Sequence, residues 1–124
     1  MKVIGFGAAL VDKQFLIKDE ALNDLGIEKG LMTLNSVEEQ NELLTFLQDQ
    51  NYKQISSCGG SATNTLVAAA SFGAKCSLAC VVANDKDGEM YISNLNNIGI
   101  DLSGNIRTSF EEPTGKCLIL VTPD

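Results

Sequence analysis

Cys58-Gly59-Gly60-Ser61-Ala62-Thr63-Asn64-Thr65, followed by a small apolar run over residues 66–72 and closed by Gly73, decides how this chain is read. Two glycines open a helix whose first turn holds one asparagine. Without a Cβ, a glycine backbone lets amide groups come close to a ligand. A helix start also leaves amides unpaired at the positive end of the helix dipole. The combination is a donor-rich concavity suited to hydroxyls or anions. The same pattern also serves an ordinary strand-to-helix turn whose helix needs small residues to pack on a sheet.

Outward from this stretch, residues 52–57 read as a strand, 61–72 as a helix and 75–83 as an apolar strand. That run predicts a βαβ unit with parallel strands. Residues 2–10 are apolar at nearly every position, as in a strand buried on both faces. Residues 14–18 form a second, more exposed strand, and Asp19 caps a short helix to Leu25, stopped by Gly26. A short strand follows at 30–34. Asn35 or Ser36 then starts a helix to Gln50, with Val37, Leu43, Leu44 and Leu47 on its apolar side and Glu38 and Glu39 in its acidic first turn. A further helix covers 86–98, carrying Met90, Tyr91, Leu95 and Ile98 at helical spacing. Residues 105–110 and 116–122 form two strands joined through 111–115. The class is α/β.

Composition excludes several functions. With 44% hydrophobic and 20% charged residues among 124, the chain is an ordinary globular sequence of one-domain length. A net charge of -7 argues against a nucleic-acid partner, which needs clustered Lys and Arg. No stretch is long enough to span a membrane. A strand pattern from the first residues leaves no room for a signal peptide, so the expected location is cytoplasmic. Histidine is absent, which removes the commonest general base and metal ligand. Cys58, Cys76, Cys80 and Cys117 make no C-x-x-C pair, so no metal site is expected and all four read as free thiols. Cys76 and Cys80 would share one face of their strand.

Several separated motifs resemble one family in the right order. Residues 59–65, Gly73, and Asn84-Asp85-Lys86-Asp87-Gly88 are similar to the first signature of the ribokinase-like (PfkB) sugar and nucleoside kinases. Gly5-Phe6-Gly7-Ala8-Ala9-Leu10-Val11-Asp12 resembles that family's first strand, which ends in a substrate-binding aspartate. Gly30-Leu31-Met32-Thr33-Leu34 and Thr114-Gly115-Lys116-Cys117 resemble segments of its adenosine-kinase-like branch. The resemblance implies a three-layer ribokinase-like sheet with a small β lid. The core would take residues 1–11 and 36–100, and the lid about 12–34 and 105–122.

The resemblance further implies an ATP-dependent enzyme that transfers the γ-phosphoryl group to a sugar or nucleoside hydroxyl. It puts Asp12, Gly59, Gly60 and Asn64 on the acceptor's hydroxyls; Met32 and Phe15 are candidates either for the inner face of the lid or for packing its small sheet. Ligands of open α/β sheets bind beyond the carboxyl ends of strands, where Asp12 and Gly59-Gly60 are expected to share a crevice. The family's second signature, with its catalytic aspartate and Gly-Ala-Gly-Asp anion hole, has no counterpart here. There is no Walker A motif, and Leu10 breaks the full G-x-G-x-x-G pattern. The expected reading is therefore an N-terminal kinase portion with no catalytic residue of its own. ATP and Mg2+ would serve the full-length enzyme and not bind this chain alone, which should be inactive. Ala8 stands where adenosine-kinase-like relatives commonly carry Asn, which removes one hydroxyl contact and argues against adenosine. A second reading, a ligand-binding or self-associating module dimerising through lid strands, rests on the tendency of unpaired edges to associate.

Overall fold

The computed structural model describes residues 1–103 and 106–123. Among these run β1 (Lys2–Phe6), β2 (Leu10–Leu16), α1 (Asp19–Asp24), α2 (Val37–Asp49) and β3 (Gln54–Gly59). They continue with α3 (Ser61–Ser71), β4 (Lys75–Ala83), α4 (Lys86–Ile98), β5 (Ile106–Ser109) and β6 (Gly115–Val121). The strands form two sheets, ordered β1-β4-β5 and β3-β2-β6. A length suited to one domain holds two compact units. One comprises residues 1–12 and 56–117, the other residues 13–55 and those from 118 on.

The first unit is organised on β4, whose alternation is that of a half-covered strand. Cys76, Leu78, Cys80 and Val82 are buried, as expected for one face, and pack with Leu66 of α3 and Tyr91 and Leu95 of α4. Fully burying one such apolar side chain stabilises by roughly 1.5–3 kcal/mol. β1 runs parallel to β4 from Lys2↔Lys75 to Phe6↔Ala79, and β5 runs parallel to it from Cys80↔Ile106 to Ala83↔Ser109. α4 is capped by the Asp85 side chain, which accepts from the Gly88 N–H, and ends at Gly99 with φ 87°.

Three expectations change in this unit. β3 and β4 lie in different sheets, so the parallel crossover is β4-α4-β5 and not β3-α3-β4. β5 was expected beside β6 in the lid, yet it pairs with β4. The chain is led there by Asp101, whose backbone bonds to Cys76 and Leu78, and by Ile106 packing on the core. Asn105, the expected start of that strand, lies outside the described residues. Finally, β1 stops at Phe6 and is not buried on both faces. α3 covers the side of Val3, while Ile4 and Phe6 remain 63% and 78% exposed.

The second unit has its own core of Phe15, Ile17, Ala21, Leu22 and Leu47, with Leu43, Leu44, Leu118 and Leu120 against it. Helix α2, expected with the main core, packs here. Its start is fixed by a capping box: Ser36 Oγ accepts from the Glu39 N–H, and Glu39 accepts from the Ser36 N–H. Asp19 is not a cap but the first residue of α1; Lys18 holds the cap position without a side-chain bond, and the acidic pair Asp19-Glu20 suits the helix dipole. β2 begins at Leu10, earlier than expected, and β3 is shifted to 54–59. Residues 30–34 form no strand. β2 already has β3 and β6 on its two edges, and Gly30 at φ 83° turns the chain away from extended geometry.

Candidate functional site

Asp12 lies inside β2, not past the end of β1, and alternation separates its half-buried side chain from the buried Val11 and Lys13. Gly59 is the last residue of the neighbouring strand β3. A Cβ built on Gly59 would stand 2.5 Å from the Asp12 carboxyl carbon, so the carboxylate rests directly against this glycine. Gly60 has φ 97° and would put a Cβ 2.7 Å from the Ala8 carbonyl oxygen. Gly60 is therefore demanded by close approach to backbone and by its conformation, whereas any side chain at position 59 would have to displace the Asp12 carboxylate.

Gly60 caps α3 without a side-chain bond. The Asn64 N–H donates to the Gly60 carbonyl at 2.9 Å, the first turn of the helical ladder. The amides of Ser61, Ala62 and Thr63 precede that bond and have no partner within the helix. The exposed Asn64 side chain stands on this first turn. Asp12, Gly59 and Gly60 are thus brought together, with Asn64 one turn on. Met32 belongs to the other unit, in no strand or helix, and is 86% exposed. Phe15 is fully buried in that unit's core, where it packs the small sheet.

Sequence reading missed what lies beneath the diglycine. Thr63 and Tyr91 are completely buried, and their hydroxyls hydrogen-bond to each other. The Cys58 thiol donates to the Tyr91 carbonyl at 3.7 Å. Burial pushes the Tyr91 hydroxyl up to about 12, against the opposing effect of the Thr63 bond. Burial also pushes the Cys58 thiol up, countered by a hydrogen bond with Asn94, and the nearby Asp12 charge raises it further. Cys117 is raised by burial and then by Asp12. Both thiols flanking this carboxylate are held in the protonated, unreactive form. In the sequence, Tyr91 was visible only as one member of an apolar helical stripe.

A second network fixes the approach to β6. Asp85 accepts from the Gly88 N–H at 2.8 Å, from the Thr114 hydroxyl at 2.7 Å and from the Thr114 N–H at 2.9 Å. The Thr114 oxygen in turn accepts from the Ala83 N–H at 2.9 Å. A cavity of about 630 Å³ adjoins, lined by residues 7–10, Gly115, Ala79, Cys80, Val81 and Arg107. Neither Asp12 nor residues 59–64 line it. Ala8 connects the two places, since its carbonyl lies against Gly60.

The model of the pfkB family carbohydrate kinases matches residues 31–124. The chain belongs to that family. No curated protein sequence matches it. Among solved structures, it is similar to a probable sugar kinase from Rhizobium etli CFN 42, with 28% identity and a TM-score of 0.82 over 99% of this chain. It is equally similar in sequence, at 28%, to the adenosine kinase of Sinorhizobium meliloti, with a TM-score of 0.80 over 99% of this chain. Anopheles gambiae adenosine kinase, solved in complex with P1,P4-di(adenosine-5) tetraphosphate, shares the fold at 21% identity with a TM-score of 0.80, over 98% of this chain and 37% of its own. The chain spans 36% of the length of each of the first two proteins. The fold is the ribokinase-like α/β arrangement that the motifs implied.

Proposed function

We propose that this chain carries the acceptor site of an ATP-dependent sugar or nucleoside kinase. The observation behind this reading is the seating of the Asp12 carboxylate on Gly59, beside the open first turn of α3. A carboxylate has acceptor capacity for two hydroxyl donors at once, as on vicinal carbons of a ribose or related sugar. The free amides of the helix start and the Asn64 amide supply complementary donors. Phosphoryl transfer asks little covalent chemistry of the protein, so fixing the acceptor hydroxyl is a large part of catalysis.

The family implies ATP with Mg2+ as the phosphoryl donor. Among the described residues, no three His, Cys, Asp or Glu side chains group so as to hold a metal ion. In this reading the residues here bind and orient the acceptor, and the metal, nucleotide and catalytic base fall to the remainder of a complete enzyme. Ala8, with no amide to offer, favours sugars over adenosine. Among the described residues, no helix is long and apolar enough to cross a membrane.

The test is acceptor profiling of the complete enzyme with ATP and a panel of sugars and nucleosides, for the parent and for Asp12→Ala. Turnover of one class, lost or weakened in the variant at unchanged ATP affinity, supports the reading. Equal kinetics in parent and variant would overturn it.

A further inference from the structure

We infer that Tyr91 is a positioning residue for the acceptor site, acting on the diglycine from both of its flanks. This rests on the reading of Asp12, Gly59 and Gly60 as the acceptor site. Tyr91 sits on α4 and is not exposed to the crevice at all. Its carbonyl accepts from the thiol of Cys58, the residue immediately before Gly59. Its hydroxyl bonds to Thr63, three residues after Gly60. One buried side chain and its own backbone thereby hold both ends of the Cys58–Thr63 segment.

The need for such a strap follows from the segment itself. Gly59 and Gly60 have no side chains to fix their conformation, and Gly60 caps α3 without a side-chain bond. α3 is anchored by the buried Leu66, but its first turn packs only the small side chains of Ser61, Ala62 and Thr63, which by themselves set the orientation of that turn loosely. A buried hydroxyl pair does specify it, because each partner would be left unsatisfied in any other register. Thr63 Oγ1 lies 3.7 Å from the position a Gly60 Cβ would take, so the bond acts within the first turn. Rotation of that turn would carry Asn64 and the free amides away from the Asp12 carboxylate. A displacement near 1 Å in such a site is enough to cost on the order of a hundredfold in rate.

The sequence alone hides this role, since a tyrosine at a core position reads as packing. Its hydroxyl is the distinguishing atom, and Tyr91→Phe removes that atom while keeping the ring. In the complete enzyme, Tyr91→Phe is expected to lower kcat with the acceptor about tenfold, leave the KM for ATP unchanged and retain the parent's circular dichroism. Thr63→Val should reproduce the loss, and the double variant should be no worse than either single one, because both remove one bond. Thr63→Ser, which keeps the hydroxyl, should restore most of the rate.

The controls separate the two readings. If Asp12→Ala cripples acceptor use while Tyr91→Phe matches the parent, the acceptor site stands and the strap is refuted. If Tyr91→Phe lowers only the melting temperature, or if the two losses add fully in the double variant, Tyr91 is a packing residue and the inference is equally refuted. If Asp12→Ala is silent, the acceptor-site reading itself has failed.

Discussion

The carboxylate of Asp12 occupies the space that any side chain at position 59 would need. Two strands are matched here by an acid on one and a bare backbone on the other. Gly59→Ala is therefore expected to push Asp12 out of place. The overpacking should cost about 1–3 kcal/mol of stability. Thermal or urea unfolding of parent and variant checks this; an unchanged midpoint would show that the carboxylate has room to retreat. Gly60→Ala adds a separate penalty, because its φ of 97° is one that side-chain-bearing residues rarely adopt.

Asp12→Ala should weaken acceptor binding in the complete enzyme and leave ATP affinity nearly unaltered. A hydrogen bond to a charged group contributes about 1.5–3 kcal/mol. At about 1.4 kcal/mol per decade, one such bond lost corresponds to a ten- to hundredfold rise in the acceptor's dissociation constant. Asn64→Ala should act in the same direction but less, since its amide is neutral. Acceptor KM and kcat, with circular dichroism as folding control, decide the matter. A larger effect from Asn64 than from Asp12 would reverse the assigned roles.

Much of this was written in the sequence, and the misses share a cause. β4 and α4 were legible to the residue because residues 75–83 form an apolar run, with Cys76 and Cys80 on one face, and Met90, Tyr91, Leu95 and Ile98 recur at helical spacing. The pairing of strands was not legible. Nothing local distinguishes β3, which joins β2 and β6, from a strand that would join β4. Residues 30–34 have strand composition, but a strand also needs a free edge, and that is a property of the whole sheet. At the site, Gly59 and Gly60 were visible through their type alone. Tyr91 and Thr63 were not, since a buried hydroxyl pair is defined only once two helices meet.

The 124-residue chain by itself should not transfer phosphate from ATP to any sugar or nucleoside. Transfer requires stabilising the charge of the migrating phosphoryl group. The described residues offer no acidic cluster for a metal, and the sequence has no phosphate-cradling loop of the Walker A type. A coupled assay on the purified chain, against a mock purification from cells lacking it, gives the answer. Turnover above that background would mean that a donor site exists among residues regarded here as acceptor-binding.

Asp85 should make the first unit sensitive to acid. Burial alone would raise its carboxyl, but the hydrogen bonds from Thr114 and Gly88 and the charge of Lys116 outweigh burial and leave it below its ordinary value of 3.8. The folded state thus favours the ionised form. The corresponding stability is present above pH 3.8 and is lost as pH falls through the lowered value. Asp85→Ala removes the α4 cap and both bonds to Thr114, and leaves the buried Thr114 hydroxyl bonded only to the Ala83 N–H. The loss of the cap alone should cost about 1 kcal/mol near neutral pH. Asp101, whose carboxyl is also lowered by its bonds from Ser103, is present in both proteins. The difference between parent and variant therefore isolates Asp85. The gap between the unfolding midpoints of parent and variant should be constant near neutral pH and narrow as pH is taken below 3.8. Curves that stay parallel throughout would show that the Asp85–Thr114 contact does not depend on charge.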